Sequence, residues 1–321
     1  MFEALKAMDP ARLNFNSGGL LILNITIAII MFGVALEIKP ASFKELFRKP
    51  RPVIAGVISQ IIFLPIITFL LILAFGGNLT VGVAMGMILV ASCPGGNVSN
   101  FLSTFSKGNA TLSVSLTAIS TTLAIFITPL NFAFWGKMYQ WLGPFSDNPL
   151  LKQLEIDPIE MFKTVTILLG IPIVLGMLFN HYFVKATEKI KKPISIFSIV
   201  VFMSMVVIMF VNNYQYFLRY IPWILLIVLL HNGLALLTGY GAGTMFRLDE
   251  RNRRTIAIET GIQNSGLGLV LIFNPNIFPS ELPLGGMMIV TAWWGIWHIL
   301  SGLTIALYWR YRTNRKLKLG Q

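Results

Sequence analysis

Glu259 is the residue whose chemistry asks for an explanation first. Of the 13 acidic residues it is the one deep inside a long apolar run, while Glu37 lies at the end of another. A buried carboxylate carries a heavy desolvation cost, and no Lys or Arg lies within the core of any run to offset it. A bound cation would supply the missing charge; a Glu kept protonated by apolar surroundings is the alternative. Sodium, a hard cation, takes oxygen ligands. Asn109, Ser113 and Thr117 are each four residues from the next and so share one helical face. Ser99, Asn100, Gln263 and Asn264 sit beside helix-breaking residues, and Gln60 is the lone strongly polar side chain of its run. Taken singly, such hydroxyls bond their own helix backbone and such amides glue helices together. Taken jointly, with one carboxylate, they point to a cation site.

The elements that must position these groups are transmembrane helices. Hydrophobic residues make up 55% of the 321, charged residues 12%, and the mean hydropathy is +0.73. The long apolar runs approach the roughly 20 residues needed to cross a bilayer as a helix, and they show none of the alternation of a β-barrel. Nine spans are predicted, near 17–37, 52–75, 80–105, 109–135, 160–183, 194–213, 220–245, 254–274 and 284–309. The expected fold is therefore an all-α polytopic membrane protein: a segment 1–16, one transport domain over 17–309 and a basic tail over 310–321.

Two of these spans are broken in the middle. Cys93-Pro94-Gly95-Gly96-Asn97 interrupts the third, and Thr260-Gly261-Ile262-Gln263-Asn264-Ser265-Gly266 the eighth. Irregular backbone survives at membrane depth only when buried in protein or lining a wet cavity. If spans 1–4 (17–135) and 6–9 (194–309) are repeats joined by the span at 160–183, the broken spans are third in each and the repeats are inverted. That construction places ion and substrate sites at crossed discontinuous helices.

Most of the 25 Lys and Arg fall in loops that nine spans put on one side, so the amino terminus is expected outside and the carboxyl terminus in the cytoplasm. The net charge of +12 is thus a topological signal and no sign of nucleic-acid binding. One cysteine, Cys93, forms no internal disulfide. Residues 1–16 lack the pattern of a cleavable signal peptide. His231 and His298 lie mid-span with no nucleophile or oxyanion motif nearby, so an enzyme is not expected. His298 is the better candidate of the two for a functional role, because its span corresponds to the fourth span of the other repeat.

The chain resembles the bile acid:sodium symporter family, in its bacterial branch. The resemblance rests on Cys93-Pro94-Gly95-Gly96 with Ser99-Asn100, on Gly108-Asn109 through Ser113 and Thr117, on His231-Asn232-Gly233, on Glu259 to Leu267, and on Trp297-His298 with Ser301-Gly302. It implies a core domain moving against a panel domain, and two sodium ions in the inner membrane of the cell. One ion would be held by Ser99, Asn100, Ser113, Thr117 and Glu259. The other would be held by Gln60, Glu259 and Gln263 with the carbonyls of Thr260 and Ile262. A small organic anion, such as a bile acid, a sterol conjugate, pantoate or a 2-oxo acid, would lie near Asn97, Asn264 and His298. Against the family pattern, the extra first span of ten-span bacterial members is not expected here, Asn97 stands in place of Thr, and Ile299 in place of Asn. The alternative functions are a proton-coupled antiporter of related fold using Glu259, and a passive channel or non-transporting sensor.

Overall fold

A computed structural model describes residues 48–318 except 49, 97, 145–147, 149, 152, 153, 155, 156, 213, 276 and 280, together with scattered positions between 5 and 36. The expected span at 17–37 and Glu37 therefore lie largely outside the described residues. Those described form helices joined by short turns, with no strand among them. In chain order we name them α1 (Pro50–Asn78), α2 (Val81–Ser92), α3 (Val98–Phe105), α4 (Ala110–Leu142), α5 (Pro158–Tyr182), α6 (Val184–Asn212), α7 (Tyr214–Met245), α8 (Glu250–Gly261), α9 (Ser265–Phe273) and α10 (Gly285–Lys318). Among the described residues, five helices are long and apolar enough to cross a membrane: α1, α4, α5, α7 from Pro222, and α10 to Arg315.

Helix starts are written in polar side chains. Asn109, Asp157, Asp249 and Asn264 each accept a backbone N–H from the first turn of α4, α5, α8 and α9, at 2.8–3.1 Å. Inside α1, Pro65 has no N–H to give the carbonyl of Ile61 four residues earlier. The helix widens to a π turn over Ser59–Phe63, and Asn131 of α4 donates to Ile61 O at 3.0 Å. Gln60 sits on that turn.

Close packing depends on glycine at two seams. Gly82 and Gly86 of α2 lie against Gly286 and Met287 of α10, where a Cβ at Gly86 would come within 2.9 Å of the Met287 Cα. Gly239 and Gly243 of α7 lie against Ile256, Ala257 and Arg253 of α8 in the same way.

Two turns on one side of the bundle share a design. Lys107 and Arg247 adopt positive φ (62° and 54°), and Gly108 N–H and Leu248 N–H reach back to Ser103 O and Gly243 O, both at 2.9 Å. Buried Arg254 binds Ser106 O, Trp309 O and Thr313 Oγ1, tying α3, α8 and α10 together.

At the opposite end, the Asp9 carboxylate accepts from Thr80 Oγ1 at 3.1 Å and from the N–H groups of Gly82 and Gly286. It thereby caps the starts of α2 and α10 together. Burial pushes this carboxyl up to about 7, outweighing those donors, which pull it down.

Candidate ion and substrate site

The α2–α3 and α8–α9 pairs are each a helix broken at the expected place, and their unwound links cross. Gly96 N–H donates to Ile262 O at 2.7 Å and Asn264 N–H to Pro94 O at 2.8 Å, with Gly95 and Gln263 facing as an isolated antiparallel bridge. Each link so satisfies backbone groups that lipid would leave bare. The approach is tight around two glycines: a Cβ at Gly96 would stand 3.3 Å from Gln263 O, and one at Gly95 would stand 3.2 Å from Glu259 Oε2.

Glu259 is fully buried in the last turn of α8. Its Oε1 accepts from Ser99 Oγ at 2.6 Å and from Ser113 Oγ, and its Oε2 from Thr117 Oγ1 at 3.0 Å. Asn100 Oδ1 lies 3.0 Å from Ser113 Oγ and 3.2 Å from Thr117 Oγ1. Three helices thus bring six oxygens together, and only three hydroxyl protons lie among them. Ser113 and Thr117 each have one proton and face both Glu259 and Asn100, so one acceptor at each is left without it. None of the ion pairs among the described residues involves Glu259. An oxygen-rich, proton-poor cluster with one carboxylate is the chemistry a hard monovalent cation fits. Among the described residues no cluster of three His, Cys, Asp or Glu offers a transition-metal alternative.

A second group of oxygens borders Glu259 on the other side of the crossing. Gln60 and Gln263 are buried, and neither amide oxygen has a donor. Gln263 Nε2 folds back onto Thr260 O at 2.8 Å, which leaves its Oε1 as an unpaired acceptor. Buried amide oxygens without donors are rare in folded proteins and call for a missing partner. Here a cation fits as well. The carbonyls named for this site are partly engaged: Thr260 O by Gln263 and Ile262 O by Gly96 N–H, each keeping a second lone pair.

The expected substrate residues are less tightly grouped. Asn97 lies outside the described residues. Asn264 is half-buried and caps α9, its Oδ1 accepting Leu267 N–H at 3.0 Å. His298 is buried in α10 with its Nδ1 unpaired. Asn109 does not join Ser113 and Thr117 as helical spacing implied: it is the cap of α4, and its Nδ2 donates to Asn252 Oδ1 at 2.8 Å. Being the N-cap, it leaves the helical path before the shared face begins. His231 is a packing residue, with Nε2 at 2.7 Å from Thr68 Oγ1 and its ring 4.5 Å from that of Trp294.

Sequence reading missed two supports. Asn131 repairs the carbonyl orphaned by Pro65, and a proline four residues after Ile61 in an apolar run is a signal that such a partner is needed. Asn232 and Ser301 appeared only as parts of a motif, yet Asn232 Nδ2 donates to Gly261 O at 2.7 Å.

Apolar helices around a buried, oxygen-lined centre at a helix crossing define a multi-pass membrane protein of the transporter class. Residues 24–220 match the Sodium Bile acid symporter family, and the chain belongs to that family. It is 35% identical over 298 residues to the "Uncharacterized sodium-dependent transporter YocS" of Bacillus subtilis (strain 168), a match covering 92% of this chain and 84% of that one. It is 29% identical over 272 residues to the human "Sodium/bile acid cotransporter 4", covering 83% of this chain and 59% of that protein. The human "P3 protein" is 27% identical over 241 residues, covering 75% of this chain and 48% of its own length. The chain thus spans less than two thirds of these two human relatives. The family is one of transporters and not of enzymes.

Proposed function

We propose that the protein is a sodium-coupled symporter that carries a small organic anion across the cytoplasmic membrane by alternating access. The observation that carries this reading is the Glu259 centre: a buried carboxylate with no cationic partner, ringed by more oxygen acceptors than there are protons to satisfy them. One sodium ion binds among Ser99, Asn100, Ser113, Thr117 and Glu259. A second binds among Gln60, Glu259 and Gln263 with the carbonyls of Thr260 and Ile262, the amide oxygens without donors being its support. The names of the Bacillus protein and of one human relative, a sodium-dependent transporter and a sodium/bile acid cotransporter, agree with sodium coupling.

The anion, bile acid-like or a sterol conjugate, pantoate or 2-oxo acid, is placed beside the crossing near Asn97, Asn264 and His298. The start of α9 offers it backbone donors and the positive end of a helix dipole. The architecture that goes with this reading is nine spans in two inverted repeats, 17–135 and 194–309, about the span at 160–183. The segment 1–16 lies outside and the tail 310–321 in the cytoplasm.

The test is a thermal-shift screen of organic anions with and without sodium, potassium serving as the control. The cargo should stabilise the protein most when sodium is present, and Glu259→Ala should remove the sodium response. A wild-type protein indifferent to sodium would end the proposal.

A further inference from the structure

A helix that stops inside the bundle leaves its last carbonyls without helical N–H partners, and at the end of α8 each can be followed to its donor. Ile258 O receives Ile262 N–H at 2.9 Å, Gln263 Nε2 serves Thr260 O at 2.8 Å and Glu259 O at 3.5 Å, and beyond the helix Ile262 O receives Gly96 N–H. Gly261 O receives Asn232 Nδ2 from α7 at 2.7 Å. Asn232 is fully buried in a long apolar helix, and its Oδ1 accepts from Ser301 Oγ of α10 at 2.5 Å. Ser301 Oγ also lies 3.2 Å from His298 O. One amide therefore ties α7, α8 and α10 together at the depth of the break.

Its target is unusual for a residue that merely glues helices. Gly261 lies midway between Glu259 and Gln263, two residues from each, so the bond fixes the orientation of the Gly261–Ile262 peptide group, central in the short stretch that joins these two side chains. The contact is built for close range: a Cβ at Gly261 would lie 2.4 Å from Leu236 Cδ2, one helical turn beyond Asn232 on the same face of α7.

We infer that Asn232, oriented by Ser301, is a positioning residue for the sodium centre, holding the Gly261 peptide so that Glu259 and Gln263 meet the ions together. This rests on the assignment of Glu259 and Gln263 to sodium. Neither Asn232 nor Ser301 touches the ions. Their effect is on affinity, through the geometry of α8.

The experiment is a sodium titration at constant ionic strength on the purified full chain in detergent, followed by tryptophan fluorescence at a temperature where every variant is folded. Asn232→Leu should raise the sodium half-saturation about tenfold, the loss expected when a bond orienting a charged ligand is removed. Ser301→Ala, a milder change that keeps Asn232, should shift it in the same direction by less. The double variant should be no worse than Asn232→Leu alone, because Ser301 acts through Asn232. Thr68→Val is the structural control. It removes another buried polar contact, the one to His231 on α7, and should lower thermal stability with sodium half-saturation unchanged. If both Asn232→Leu and Ser301→Ala titrate as wild type does, the inference fails while the sodium assignment stands. If Thr68→Val shifts the titration as far as Asn232→Leu does, the effect is general loosening and the inference fails too. A wild type that does not titrate at all overturns the underlying assignment.

Discussion

Thr117→Val removes one oxygen from the Glu259 centre while keeping nearly the same side-chain volume. Thr117 Oγ1 stands 3.0 Å from Glu259 Oε2, 3.2 Å from Asn100 Oδ1 and 3.4 Å from Ser99 Oγ, so no other hydroxyl touches as many of the proposed ligands. The loss of one charge-assisted contact is worth about 1.5–3 kcal/mol. That corresponds to roughly a tenfold to hundredfold weaker sodium affinity. The consequence can be read as stability. At a sodium concentration a hundred times the wild-type Kd the ion stabilises the fold by about 2.7 kcal/mol, and a hundredfold weaker variant keeps only about 0.4 kcal/mol of this. Melting curves over a sodium series with choline as the balancing cation give both quantities. Thr117→Val should melt somewhat below wild type without sodium, because Glu259 Oε2 loses its hydroxyl donor, and the gap should widen as sodium is added. If the two sodium series run parallel, Thr117 is not a ligand and the proposed composition of that site is wrong.

Three further outcomes are expected. Because the folded protein holds the Asp9 carboxyl up near 7, against an ordinary value of 3.8, the folded state binds the extra proton and this group's contribution to stability declines as pH rises from about 4 to about 7. The difference in melting temperature between wild type and Asp9→Asn should change across that window and level off above it; a constant difference would refute the shift. With Cys93 replaced, a cysteine at Pro144 should react with an impermeant thiol reagent added outside intact cells and one at Arg251 should not, both positions being exposed; the reverse pattern would invert the proposed topology. If two sodium ions accompany one monovalent anion, each cycle moves one net positive charge, coupled to the membrane potential by about 2.3 kcal/mol per 100 mV. Uptake into proteoliposomes should then quicken when a valinomycin-set potential is negative inside, and an unchanged rate would exclude that stoichiometry.

The broken helices and the Glu259 cluster were legible in the sequence because each depends on residue type and short spacing. Pro94-Gly95-Gly96 cannot continue a helix, Ser113 and Thr117 are one turn apart, and a lone Glu in an apolar run needs oxygen around it. What the sequence did not disclose depends on partners remote in the chain. That Asn109 turns away to Asn252 is settled by the packing of the starts of α4 and α8, with 143 residues between the two partners. Asn131 and Ile61, 70 residues apart, meet because α1 and α4 lie side by side there, and nothing in either segment alone states it. Asn232 read as one more amide in an apolar helix, and its meaning came only with the carbonyl it faces.

The crossing itself is held by main-chain atoms, Gly96 to Ile262 and Asn264 to Pro94. Main-chain bonds are indifferent to most side-chain changes, provided Gly95 and Gly96 keep their room. Side chains bordering the crossing are therefore free to be exchanged without unfastening it. On the proposed reading, in which the anion lies beside the crossing, a change of bordering side chain alters what is carried while the main-chain fastening stays as it is.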